Sequence, residues 1–182
     1  MDYQTIKQSA FGELEDRKSR FLAFLEPIAV FDQKLEELRK EHRKANHFVT
    51  AHRHLLEDGR LEESGKDDGE PSGTSGMPTL KVLQGARLVE AGVIVVRYFG
   101  GTKLGGGGLA RAYSGAAAVA IENSKLVPFI KMKKRRLSVS FADSAELEQQ
   151  IARLGLEVIE RDFTEQGVTF ELEGPESLIN GL

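Results

Sequence analysis

The run VIVVRYFGGTKLGGGGLARAYSGAAAVAIE, residues 93–122, constrains the fold more than any other stretch. The β-branched segment AGVIVVRYF is continuous and too short for a helix, so it predicts a buried strand. GGTKLGGGG reads as a loop, and LARAYSGAAAVAIEN as an alanine-rich helix. Small side chains on that helix allow it to lie close against a sheet. A buried strand, a glycine loop and a close-packed helix in that order require a mixed α+β protein.

Other elements follow from pattern. SRFLAFLEPI reads as a strand ended by Pro27, and FDQKLEELRKEHRKA as a helix with Phe31, Leu35, Leu38 and His42 at helical spacing. HFVTAHRHLLE is a strand. The polar, glycine-rich EDGRLEESGKDDGEPSGTSG reads as a long mobile loop. MPTLKVLQGARL is a helix with Pro78 at its start, and LVPFI is short and extended.

A boundary falls near IKMKKRR, giving domains 1–130 and 131–182. Its basic residues lead into a strand, LSVSF. SAELEQQIARLG is then a helix with Ser144 as N-cap and Gly155 as its stop. LEVIERDF and QGVTFELEG form a hairpin, and GPESLINGL starts another helix. This β-α-β-β-α order is one strand short of a split β-α-β fold, so the second domain reads as truncated.

The loop at 100–108 carries the chemistry. Glycines let a ligand approach the main chain, and a helix N-terminus favours an anion. Arg97, Lys103 and Arg111 add charge, and Gly100, Gly101 and Gly105 supply the backbone. The same segment also reads as a tight connection bearing ordinary surface bases. A phosphate loop of the Gly-Lys-Ser/Thr kind fails because Thr102 precedes Lys103. Gly105, Gly107 and Ala110 match a loose dinucleotide motif, but Lys131 follows the next strand where an acid is required. Tyr113 is a candidate for stacking on a base, whereas Phe99 reads as core.

His42, His47, His52 and His54 match no metal-ligand spacing, and structural roles fit them better. Ser72 and Ser75 lie on a loop without an identifiable base, so neither a catalytic set nor a cofactor is assigned. Lys133, Lys134, Arg135 and Arg136, with Lys131, form a run suited to a nucleic-acid backbone or simply to solvent.

Charge is uneven. Residues 142–182 hold ten acidic and two basic side chains, against eighteen and twenty-three in residues 1–141, within a net charge of −3. Any polyanion contact therefore belongs to the body rather than the tail. With no cysteine, disulfides and thiolate metal sites are excluded, and a reducing, cytoplasmic setting is expected. The N-terminus does not read as a signal peptide, and no apolar run is long enough to cross a membrane.

DDGEPSGTSGMP paired with VVRYFGGTKLGGGGLARAY resembles the signature of the YigZ/IMPACT family, with SRFLAFLEPI and HRKANHFVTAH fitting the same domain. The resemblance covers roughly residues 1–127, and the remainder is similar to the small second domain of bacterial YigZ proteins. It implies a ribosomal protein S five domain 2-like fold, a sheet with helices on one side, followed by a ferredoxin-like unit. Together these are similar to domains IV and V of elongation factor G. Eukaryotic members regulate translation through a protein partner and carry a further domain that this sequence lacks. The implied role is a non-enzymatic, cytoplasmic RNA- or ribosome-binding protein in translation, with a regulatory protein partner as a further possibility.

On that reading the acidic loop folds over the glycine loop. Asp67, Asp68 and Glu70 are gating acids, with Asp68 or Glu70 paired to Arg97, Lys103 or Arg111 until an RNA phosphate displaces them. A rigid structural ion pair is the competing account. Neutralising four to six phosphates predicts a log–log salt slope of about −3 to −4. The alternative is an enzyme or binding protein for a small phosphorylated or nucleotide ligand, with Asp68, Glu70 or His47 as acid or base.

Overall fold

The computed structural model describes residues 2–182. The chain divides into two compact units, one running to Phe129 and the other Ile130–Leu182.

The first unit is built on a five-stranded sheet. Its strands are β2 (Ala10–Asp16), β3 (Ser19–Pro27), β4 (His47–Leu55), β5 (Leu61–Lys66) and β6 (Ala91–Tyr98). They lie in the order β2-β3-β6-β4-β5, each antiparallel to its neighbours. Two short strands, β1 (Gln4–Ile6) and β7 (Leu126–Pro128), pair separately. Strand β6 is central, which explains why its sequence is apolar without alternation.

Alternation along the strands sorts side chains to opposite faces. Phe21, Ala23, Leu25, Val93 and Val95 pack with α2 (Gly76–Gly85) and α3 (Gly105–Glu122). Leu22, Ile94 and Val96 pack instead with Phe31 and Leu38 of α1 (Ile28–Glu41). Helices therefore cover both faces, not one as the resemblance implied. The Phe31, Leu35, Leu38 stripe needs an apolar surface, and the second face of the central strands provides it.

Small residues bring α3 close to the sheet. Ala112, Ala116, Ala117 and Ala120 are buried along it, and a side chain at Gly12 of β2 would fall on the backbone of Val119 and Ala120. The glycines 105–108 form the first turn of α3 rather than a loop, with Gly105 at φ 71°.

The segment expected to be a long mobile loop contains β5. Backbone pairing from Thr50↔Lys66 to Leu55↔Leu61 holds this edge strand, although its sequence LEESGK shows little apolar alternation. An edge strand satisfies half its backbone on its neighbour and turns polar side chains to water, so hydrophobic patterning misses it.

The second unit comprises β8 (Met132–Ser140), α4 (Phe141–Leu154), β9 (Glu157–Phe163), β10 (Gly167–Pro175) and α5 (Glu176–Ile179). Its antiparallel sheet runs β8-β10-β9, in keeping with the β-α-β-β-α reading. Leu147 and Ile151 of α4 pack with Val168, Phe170 and Leu172 of β10 and with Ile179 of α5. The N-cap of α4 is Ser140, whose Oγ accepts the Asp143 N–H, not Ser144. Ser144 lies inside the helix and donates to the Phe141 carbonyl. Gly155 ends the helix in the left-handed conformation at φ 68°.

Candidate functional site

Arg97 leaves the end of β6 opposite His47 of β4 and Phe21 of β3. It is 5% exposed, so its charge must be met locally. Glu70, from the loop after β5, meets it: Arg97 Nη1 donates to Glu70 Oε1 and Oε2, both at 2.7 Å. Nη2 donates to Ser19 Oγ at 3.3 Å, while the buried Nε has no partner among the described residues. The guanidinium also lies 5.4 Å from the Phe21 ring centroid and 5.5 Å from that of Phe99.

His47 completes the cluster. Its Nε2 is 2.8 Å from Glu70 Oε1, and its Nδ1 is 2.8 Å from the Asp68 carbonyl oxygen. Both ring nitrogens thus face oxygen atoms of the loop. Sequence reading gave His47 only a subsidiary role. The four histidines separate in space: His42 meets the Tyr98 hydroxyl, His52 meets Glu62 and His54 meets Glu90. Among the described residues, no group of three or more His, Cys, Asp and Glu side chains is placed to hold a metal.

The three acids of the loop differ in role. Asp67 accepts backbone N–H groups from Gly73, Ser75 and Gly76, tying the loop to the start of α2. Burial works against its charged form, but these donors outweigh it and hold the carboxyl below its ordinary value. Asp68 accepts the Phe48 N–H at 2.7 Å and sits 3.8 Å from Arg39. Neither acid reaches Arg97, Lys103 or Arg111, because each is engaged by other groups. Glu70 alone of the three pairs with a predicted cation.

A cavity of about 320 Å³ opens beside this cluster. Arg97, Glu70 and His47 line it together with Lys103, Gly105 and Gly106, and Phe99, Leu104, Leu109 and Pro71 supply apolar wall. Lys103 and Arg111 are exposed and have no ion pair among the described residues. The Arg111 guanidinium lies beside Gly107, where an added Cβ would meet its Nη1 at 3.2 Å. Among the described residues no side chain caps the first turn of α3, so its amides remain available to an anion.

Three predicted participants are placed otherwise. The Gly100 N–H is taken by Ser19 Oγ, and a side chain at Gly100 would strike the backbone of Lys18 and Ser19. Gly101, at φ 90°, turns the chain. Tyr113 is fully buried, edge-on to Phe21, because it shares the inner face of α3 with Leu109 and Ala116. It is not available to stack on a base. Its hydroxyl has no hydrogen-bond partner among the described residues, and burial, then the Glu70 charge, push the phenol well above its ordinary value. Phe99 is the reverse case: it lies beyond the end of β6 and is 48% exposed at the cavity.

Lys133, Lys134, Arg135 and Arg136 lie within β8 rather than ahead of the strand, and Lys131 just precedes it. Arg135 donates to the Ile179 and Leu182 carbonyls at the end of α5, and Lys133 to Asn180. Lys131 pairs with Glu176 and Arg136 with Asp162, while Lys134 stands opposite Glu173 in the β8–β10 register. Two of the five charges are thus met by acids of the same small unit, and two more are bonded to its neutral oxygens.

Residues 17–121 match the Impact N-terminal domain. The chain is 32% identical over 152 residues to the Bacillus subtilis IMPACT family member YvyE, covering 82% of this chain and 69% of that protein. It is 37% identical over 159 residues to the Thermus thermophilus IMPACT family member in pol 5'region, covering 87% and 86%. The Escherichia coli IMPACT family member YigZ is 30% identical over 152 residues, covering 82% and 74%. A crystal structure described only as of a hypothetical protein matches with a TM-score of 0.70 at 26% identity, covering 99% of this chain and 88% of that one.

Proposed function

This chain belongs to the IMPACT family, and from that premise we propose that it is a non-enzymatic RNA-binding protein of translation, holding phosphate at the start of α3. One observation carries the reading. Lys103 and Arg111 are exposed, lack ion pairs among the described residues and flank an uncapped glycine turn. Surface cations are commonly met by nearby acids; here the loop acids turn to Arg97, Arg39 and backbone amides instead. Two full charges and a set of free amides are thereby left for a polyanion.

The basic run at 131–136 is given less weight in this reading, because Lys131, Lys133, Arg135 and Arg136 are bonded within their own unit. Two or three phosphates, rather than four to six, then give a log–log salt slope of about −1.4 to −2 for single strands. The test is binding of an unstructured single-stranded RNA across a salt series, with wild type and a Lys103→Ala/Arg111→Ala double variant. The double variant is expected to bind more weakly with a flatter salt response, and to be lost from ribosomal subunits in co-sedimentation. Equal binding by both proteins at every salt concentration would refute the reading.

A further inference from the structure

The cavity beside Arg97 has features that contact with a passing phosphate backbone does not require. Leu104, Leu109, Pro71 and Phe99 give it apolar walls, while Lys103 stands at the glycine turn. Phosphate alone has no use for apolar walls; a ribose and a base do. The Phe99 ring is half exposed at this cavity and lies 5.5 Å from the Arg97 guanidinium, which braces it as a stacking surface. At about 320 Å³ the cavity lies at the small end of ligand sites, the scale of a single nucleotide rather than a strand.

Its inner boundary is closed by buried groups. Glu70 and Arg97 are both under a tenth exposed and are bonded to each other, and His47 is tied to Glu70 and to the Asp68 carbonyl. A strand entering here meets the ion pair and stops. We infer that the cavity receives the terminal nucleotide of an RNA strand, with its phosphate at Lys103 and the α3 turn and its base against Phe99. This deepens the proposed RNA binding and rests on it.

Gly106 offers a probe of the cavity that spares the fold. It lines the cavity, and a Cβ there meets nothing nearer than Thr74 Cγ2 at 3.6 Å, an ordinary contact. Gly106→Leu should therefore fold and fill the space. The experiment compares linear and covalently circular RNA of one sequence, using the full chain, with adenosine monophosphate and inorganic phosphate as competitors. Linear RNA is expected to bind about tenfold more tightly, the scale of one stacked base. The mononucleotide should displace it at concentrations where inorganic phosphate does not, and Gly106→Leu should abolish that displacement.

Equal affinity for the two RNAs without displacement by the mononucleotide would overturn the strand-end assignment and leave the RNA reading standing. Displacement with equal affinity would place a flipped internal nucleotide in the cavity and overturn the assignment as well. Failure to bind either RNA would overturn both proposals.

Discussion

Glu70 takes both hydrogen bonds of Arg97 Nη1 at 2.7 Å in a setting where the two side chains are 3% and 6% exposed. A residue in a stretch that reads as unstructured thus neutralises a charge at the end of the central strand. Removing one member of such a pair leaves the other buried and uncompensated. Glu70→Gln keeps the shape and removes the charge. It is expected to lower unfolding stability by about 3–5 kcal/mol. Denaturant unfolding checks this, and a loss below about 1 kcal/mol would mean that the pair opens readily, as the gating idea requires.

Asp67 makes a pH-dependent contribution. Its folded carboxyl lies below the ordinary 3.8, because the Gly76, Gly73 and Ser75 amides outweigh burial. A depressed acid stabilises the fold above its unfolded value, and that contribution disappears as pH falls through the lower folded value. Asp67→Asn retains one acceptor oxygen but turns an NH₂ toward a backbone donor. It should cost about 1–2 kcal/mol near neutrality, comparable to losing a good helix cap. The wild-type and variant stability curves should converge as pH drops below 3.8, measured by chemical denaturation across acid pH. A constant gap between the curves would show that the carboxylate charge plays no part.

The central strand and its two flanking partners were legible because each carries a dense apolar pattern. Phe21, Leu25 and Val93 announce burial whatever surrounds them. Strand β5 was not legible, since LEESGK is held by the backbone of β4, and backbone pairing has no sequence period when both faces are polar. At the site, the Glu70–Arg97 pair is one of the pairings that charge and position left open, and the sequence did not choose among them. The exchange of roles between Phe99 and Tyr113 was not legible. Both are aromatic residues flanking one glycine loop, and only the end of β6 at Tyr98 and the inward face of α3 decide which is buried. His47 received only a subsidiary role for a related reason: its partners, Asp68 and Glu70, are more than twenty residues away.

The basic run gives a second separation of stability from binding. Arg135 holds the Ile179 and Leu182 carbonyls at 3.0 and 2.9 Å, closing the end of α5. Arg135→Ala is expected to destabilise the second unit by about 1–3 kcal/mol, the scale for hydrogen bonds from a charged donor. RNA affinity should change less than in the Lys103→Ala variant. A larger RNA effect with unchanged stability would return the run to the binding surface.

Capping offers a paired test. Ser140 Oγ accepts the Asp143 N–H and starts α4, whereas Ser144 bonds a carbonyl one turn back inside the helix. Ser140→Ala should cost about 1 kcal/mol, and Ser144→Ala should cost nothing or stabilise slightly, since alanine is the better interior residue. Thermal unfolding of the two variants side by side checks the order. The reverse order would move the helix start to where sequence reading placed it.

The approach of α3 to β2 depends on a missing side chain. A Cβ at Gly12 lies 2.8 Å from the Val119 carbonyl carbon and closer still to Ala120, all of it backbone that cannot rotate away. Gly12→Ala must push α3 outward or bend β2, and overpacking of this kind costs about 1–3 kcal/mol. Gly85, the last residue of α2, provides the contrast: nothing lies within 4 Å of an added Cβ, and no positive φ is recorded there. Gly85→Ala should be neutral or stabilising by up to about 1 kcal/mol, because alanine restricts the unfolded chain more than glycine does. Opposite signs for two identical substitutions, read by denaturant unfolding, would locate the constraint in the packing of α3 on the sheet. Equal effects would assign it to glycine's backbone freedom alone.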